Sequence, residues 1–313
     1  MQIIRDYQFV DPHDRGASAA IGNFDGVHLG HQAVIDIARK KAVELDAPLG
    51  VLTFEPHPRQ YFAPDAPAFR LMSAETRANR LQKLGVEKLY ELSFNDTLSQ
   101  LTAEEFARDV IRDGLGLKHV VIGADFHFGK GRSGNAEILA GFGKEMGFGV
   151  TIANLVKVAD GQEISSTAIR QALSEGRPDD AAKMLGHWHR IDGEVIRGDQ
   201  RGRLLGFPTA NMSITGLHPP KFGVYVVKID VLTGPFAGSY NGAASMGTRP
   251  MFGENLPNLE TYIFDFKGDI YGAHVSVALV EYLRPEAKFD SVDALIAQMN
   301  ADCDQARQIL ANV

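Results

Sequence analysis

Up to about residue 185, short apolar runs alternate with stretches whose apolar positions recur at helical spacing. Ala17–Ile21, Leu49–Phe54, Leu89–Leu92, His119–Ile122 and Val150–Ala153 read as strands. After His31, the residues Val34, Ile37, Ala38 and Leu45 fall on one helical stripe. Thr102 and Glu105 form a capping box: the hydroxyl accepts from a free backbone N–H of the first turn, and the carboxylate reaches back. Strand, helix and strand in succession predict a parallel, Rossmann-like α/β sheet with helices on its faces. Ligands of such sheets sit beyond the carboxyl ends of the strands.

The texture changes between Ser174 and Arg190. Beyond it the chain is rich in Gly, Pro and β-formers, and Gly223–Asp230, Leu259–Phe266 and His274–Tyr282 read as strands. Short strands separated by turn residues predict a small antiparallel barrel or sandwich. A last helix closes the chain, with Ser291 as N-cap and Val292, Leu295, Ile296 and Met299 as its apolar stripe. The expected domains are therefore 1–185 and 186–313.

Composition supports two ordinary domains. The chain has 313 residues, 44% of them hydrophobic, enough for each half to bury a core. The net charge of -7 and the scattered Lys and Arg argue against a nucleic-acid binder, which would carry a basic stripe. The single cysteine, Cys303, excludes an intramolecular disulfide and reads as a structural thiol. The start MQIIRDYQFVDPHDR lacks the apolar core of a signal peptide, and no apolar run reaches transmembrane length. A cytoplasmic protein without nucleic-acid or membrane partners is expected.

Two segments of the first half carry candidate chemistry. Gly22-Asn-Phe-Asp-Gly-Val-His-Leu-Gly-His31 leaves a strand and enters a helix. Glycines permit close approach of backbone to ligand, and a helix N-terminus offers unpaired N–H groups to phosphate. His28 and His31 add hydrogen bonds, or positive charge when protonated, as charge builds on a leaving pyrophosphate. The same string also fits a Gly-rich loop with two surface histidines, or half of a zinc site. Ile164-Ser-Ser-Thr-Ala-Ile-Arg170 runs three hydroxyls into a helix start with Arg170 one turn in. One cap alone would not require Ser165, Ser166, Thr167 and Arg170 together. His57 between Pro56 and Pro58, and Asp125 after a strand, fit either a ligand contact or a turn. Lys130 and Arg132 lie in a basic glycine-rich loop.

The second half holds Gly198-Asp-Gln-Arg-Gly-Arg-Leu-Leu-Gly-Phe-Pro-Thr-Ala-Asn211 and no Walker loop. Thr209 and Asn211 point to one side if the segment is extended, giving oxygen donors for a hard cation. A hairpin with a polar tip would read the same way. In Leu259-Glu-Thr-Tyr-Ile-Phe-Asp-Phe266, Glu260 shares a face with Tyr262 and Phe264.

His28–His31 with Ile164–Arg170 resembles the paired ATP motifs of the HxGH nucleotidyltransferase superfamily. With Thr53–Arg59 and Gly123–Gly129, the string Gly22–His31 resembles one branch, the prokaryotic bifunctional riboflavin kinase/FAD synthetases, across nearly the whole chain. The resemblance implies that riboflavin and ATP give FMN, and that FMN and ATP give FAD with release of pyrophosphate. It implies ATP contacts at Gly22, Asn23, His28, His31, Ser165, Ser166, Thr167 and Arg170, with Asp125 and His57 toward FMN. In the kinase half it implies Gly202 and Arg203 on ATP, Thr209 and Asn211 on Mg2+, Arg249 on the flavin side, and Glu260 as general base. Two departures stand out: Ser245 where the family more often has Asn, and Met251 where it usually has Thr. The rival readings are an enzyme with one of the two activities, a transferase for another phosphorylated acceptor, and a non-catalytic flavin or nucleotide sensor.

Overall fold

The computed structural model describes residues 1–154, 164–198, 202, 205–251 and 254–313, with backbone alone at 249–251, 254 and 255. Two compact units divide the chain: Met1–Ala66 with Ala74–Ser165, and Pro67–Ser73 with Ser166–Val313.

The first unit is built on β1 (Gln2–Ile4), β2 (Ser18–Ile21), β3 (Leu49–Glu55), β4 (Lys88–Ser93), β5 (His119–Gly123) and β6 (Gly149–Ala153). Their order is β1-β4-β3-β2-β5-β6 and each pairing is parallel. Strand β2 is buried throughout and β3 nearly so, as expected of central parallel strands covered on both faces. From β2 the chain goes to β3 and β4 on one side and later to β5 and β6 on the other, so the strand order reverses beside β2. That reversal is where open α/β sheets bind ligands.

The α-helices of this unit are α1 (Leu29–Glu44), α2 (Pro58–Phe62), α3 (Ala74–Lys83), α4 (Asp96–Gln100), α5 (Ala103–Glu105), which runs on into a π-helix at Phe106–Gly114, and α6 (Ala136–Met146). The capping box at Thr102 and Glu105 is present at the start of α5. The buried face of α1 differs from the expected stripe: Ile35, Ala38 and Ala42 face the core, Leu45 is 40% exposed, and Val34 and Ile37 are only half-buried. Small side chains let α1 lie close to β2, where Ser18 Oγ donates to the Ala38 carbonyl at 2.9 Å.

The second unit opens with α7 (Ser166–Ser174) and α8 (Pro178–Leu185). Its sheet comprises β7 (His189–Glu194), β8 (Thr209–Ser213), β9 (Gly223–Val231), β10 (Gly238–Met251), β11 (Glu254–Ile263) and β12 (His274–Arg284). The order is β7-β12-β9-β10-β11-β8, all antiparallel. A bridge between Ile196 and Asn211 returns the chain after β7 to β8 and curls the sheet into a half-barrel. Tyr225, Val227, Met212, Met246 and Leu259 fill its interior. Val226, Ala243 and Val280 point the other way, onto the closing helix α9 (Val292–Leu310).

Ser291 caps α9, accepting from Ala294 N. The expected stripe holds only in part. Val292 is 57% exposed, while Asp302, Ala306 and Leu310 are buried. Leu295 and Met299 line a cavity rather than dry core.

Candidate active sites

In the first unit the loop from Gly22 to His28 leaves the carboxyl end of β2, at the strand-order reversal. Phe24 and Val27 have φ of 52° and 43°, the left-handed region that strains residues bearing a Cβ. His28 caps α1, its Nδ1 accepting from His31 N at 3.2 Å. With Nδ1 an acceptor, neutral His28 carries its proton on Nε2. His31 stacks on His28, ring centroids 3.6 Å apart and 14° from parallel. Burial, and then the neighbouring His28, hold the His31 pKa well below the usual imidazole range, so His31 is neutral.

A Cβ added at Gly30 would lie 3.0 Å from His28 Nδ1 and 3.6 Å from the Ile164 carbonyl, so the chain entering Ser165 runs against the first turn of α1. Asn23 is exposed, and its carbonyl accepts from Thr53 Oγ1 at 3.2 Å. His57 is buried and caps α2, its Nδ1 accepting from Arg59 N at 3.1 Å. Asp125 is exposed in the turn beyond β5, its carbonyl 2.8 Å from His127 Nδ1.

Ser166, Thr167 and Arg170 belong to α7 in the second unit. There Arg170 Nε donates to the Phe69 carbonyl at 2.6 Å, and the guanidinium lies 5.3 Å from the Phe69 ring centroid.

The second unit brings its expected residues together through strand register. Glu260 on β11 is paired directly with Asn211 on β8 and with Ser245 on β10, and Thr209 is paired with Tyr262. Directly opposed residues share a sheet face. Since Leu259 and Met212 point into the half-barrel, Glu260 and Asn211 face away from it. On that side lies a cavity of about 250 Å³ lined by Glu260, Thr209, Phe207, Tyr262, Leu295 and Met299, among others. Thr209 also borders a second cavity, of about 260 Å³, with Pro208, Lys267 and Tyr271. Gly198 passes directly over Asn211: a Cβ there would meet its amide Nδ2 at 2.6 Å. Arg203 and the Arg249 side chain lie outside the described residues.

Two polar groups escaped the sequence reading. Asn258, two residues before Glu260 on β11 and 2% exposed, donates from Nδ2 to Asn211 Oδ1 at 3.2 Å and so orients that amide. Arg77 on α3 is fully buried and donates to Glu55 and Glu91. Glu91, an acid inside the apolar run Leu89–Leu92, was the available signal that a buried cation must face it. Among the described residues no group of three or more His, Cys, Asp or Glu side chains could hold a metal, so no such cluster surrounds the two histidines.

Two family models divide the chain: FAD synthetase over residues 10–168 and riboflavin kinase over 185–310. Fold and sites thus define a two-part transferase that works with nucleotides and flavins. The bifunctional riboflavin kinase/FMN adenylyltransferase of Pseudomonas fluorescens is 40% identical over 99% of this chain and 98% of its own length. That of Escherichia coli K12 is 36% identical over 98% and 97%. The chain belongs to the bifunctional riboflavin kinase/FMN adenylyltransferase family. A crystal structure described as a macrolide-efflux protein from Streptococcus pneumoniae matches with a TM-score of 0.84 and 34% identity, covering 98% of each chain. No described helix here is long and apolar enough to cross a membrane.

Proposed function

We propose that this enzyme of FAD biosynthesis phosphorylates riboflavin at the face carrying Glu260, Thr209 and Asn211, and adenylylates FMN at the loop from Gly22 to His31. The observation that carries the kinase assignment is the direct pairing of Glu260 with Asn211 beside a cavity of flavin-compatible lining. Riboflavin enters between Phe207, just before β8, with Tyr262 on β11, and Leu295 and Met299 on α9. Glu260 takes the proton from the 5′-hydroxyl, and the γ-phosphoryl of ATP moves in line to that oxygen. The second cavity bordered by Thr209 takes the nucleotide, and Gly202 and Arg203 are assigned to the same ATP. The hydroxyl of Thr209 and the amide oxygen of Asn211 are hard donors suited to Mg2+, which when bound screens the phosphate charge. Arg249 is assigned to the flavin side.

In the first unit, backbone N–H groups at the start of α1 and His28 Nε2–H meet the ATP phosphates, with Gly22, Asn23 and neutral His31 completing the loop. Ser165, Ser166, Thr167 and Arg170 are assigned to the same nucleotide, and Asp125 and His57 to FMN. The FMN phosphate attacks the α-phosphorus and pyrophosphate leaves. The nucleophile is already an anion, so positioning and charge neutralisation supply the rate. We place the functional boundary at 185, in keeping with a kinase-family match that begins there. We assign the enzyme to the cytoplasm, a compartment that supplies the ATP both reactions consume.

The test is one reaction mixture of protein, riboflavin, ATP and Mg2+, with flavins separated by chromatography over time. FMN should rise first and FAD follow. Absence of FAD when FMN is supplied would remove the first-unit assignment, and absence of FMN the second.

A further inference from the structure

The first unit contains a buried ionic junction that the assigned chemistry does not use. Arg77 on α3 is 0% exposed. Its Nη2 donates to Glu55 Oε2 and to Glu91 Oε2, each at 3.0 Å. Its Nη1 donates to the carbonyls of Asn23 at 3.3 Å and Phe54 at 3.5 Å. The other oxygen of Glu91 accepts from Arg5 Nε at 3.3 Å. One guanidinium therefore ties the carboxyl ends of β2 and β3 to the middle of β4.

Stability alone does not account for this arrangement. Taking a cation and a carboxylate out of water is costly, and well-packed apolar side chains in their place often leave a fold as stable or more so. Arg77 Nε is even left buried without a partner. What the junction does supply is a fixed carbonyl at Asn23, held from one side by Thr53 Oγ1 and from the other by Arg77. That carbonyl directly precedes the left-handed Phe24, and strained backbone persists only where its surroundings over-determine it. Four residues after Phe24 the same loop delivers His28 to the cap of α1.

We propose that Arg77 is a positioning residue for FMN adenylylation: through Glu55, Glu91 and the Asn23 carbonyl it pre-shapes the turn that presents His28 and His31. The inference rests on the reading of Gly22–His31 as the ATP loop. Two variants test it. Arg77→Met with Glu91→Leu exchanges the ion pair for apolar side chains, and Arg77→Lys keeps the charge but cannot reach four acceptors at once. FAD formation from FMN is measured with ATP varied, and riboflavin phosphorylation is measured on the same preparations as a control within the chain.

In both variants the KM for ATP should rise about tenfold, with a much smaller change for FMN and unaltered kinase rates. A residue that merely props the fold would reduce the number of active molecules, lowering kcat with the KM for ATP unchanged. That result, or wild-type kinetics, overturns the proposal. If the double variant fails to fold, Arg77→Lys decides alone. His28→Ala, run alongside, separates the two levels. Intact FAD formation in that variant removes the ATP-loop reading and the proposal with it. Lost FAD formation beside an unchanged ATP KM in the Arg77 variants removes only the role of Arg77.

Discussion

The two sites are built on opposite principles. In the first unit the candidate chemistry lies past the strand ends, in a loop with left-handed Phe24 and Val27, where Thr53 and Arg77 hold the Asn23 carbonyl ahead of Phe24. In the second it lies on a sheet face, where β8, β10 and β11 set Asn211, Ser245 and Glu260 side by side. A parallel sheet has both faces covered, so only its ends are free for ligands. A curled antiparallel sheet can fill one face and offer the other. The first design makes function depend on backbone shape, and the second on side-chain identity at fixed register.

That contrast can be broken at several points. Glu260→Gln removes one proton acceptor from an otherwise unmoved face and should lower riboflavin phosphorylation about a thousandfold. FAD formation from supplied FMN should not change, and chromatography of both flavins reads the two together. His28→Ala should reduce FAD formation about a hundredfold while the kinase continues, since the α1 cap and the proposed phosphate donor are lost together. Gly198→Ala tests whether backbone approach matters in the second site too. Its Cβ would fall 2.6 Å from Asn211 Nδ2, so the amide must yield, and kinase turnover should drop about tenfold with most of the change in ATP dependence.

The last effect concerns pH, and here the units behave alike. Burial, and then the neighbouring His187 and His218, push the His189 pKa down to about 3. An unfolded histidine titrates near pH ~6.5, so between those values the unfolded chain holds a proton that the folded unit refuses. The stability contributed is complete above about pH 6.5 and declines toward pH 3, by at most about 1.4 kcal/mol per pH unit. His31 acts in the same direction in the first unit. Urea midpoints across this range should fall with acidification, and His189→Gln should flatten the slope.

Much of the architecture was legible because long-range order coincided with local pattern. The central strands are continuous apolar runs, and the caps at Thr102 and Ser291 are local chemistry. The edge strand Gln2–Ile4 was missed because three residues carry no period, and its order comes from pairing with Lys88–Tyr90. The face of α1 was legible only in part: Ala38 is buried as expected, but Ile35 and Ala42 share its face while Leu45 is 40% exposed. At the sites, Glu260 and Asn211 could each be picked from their own segments, but their direct pairing is a matter of strand register. Arg77 was illegible for a similar reason: its carboxylate partners lie 22 and 14 positions away, beyond any local spacing rule.

The wall that Leu295, Met299 and Cys303 contribute to the second unit's cavity has a consequence for how the protein is made. A chain emerges from the ribosome in order, N-terminal parts first. The strands of the first unit are all synthesised by Ala153, whereas α9 follows every other wall of the cavity. A nascent chain can thus assemble the sheet that carries the Gly22–His31 loop well before it can close this cavity. On the proposed assignment, flavin capture at this cavity therefore marks a polypeptide translated past α9.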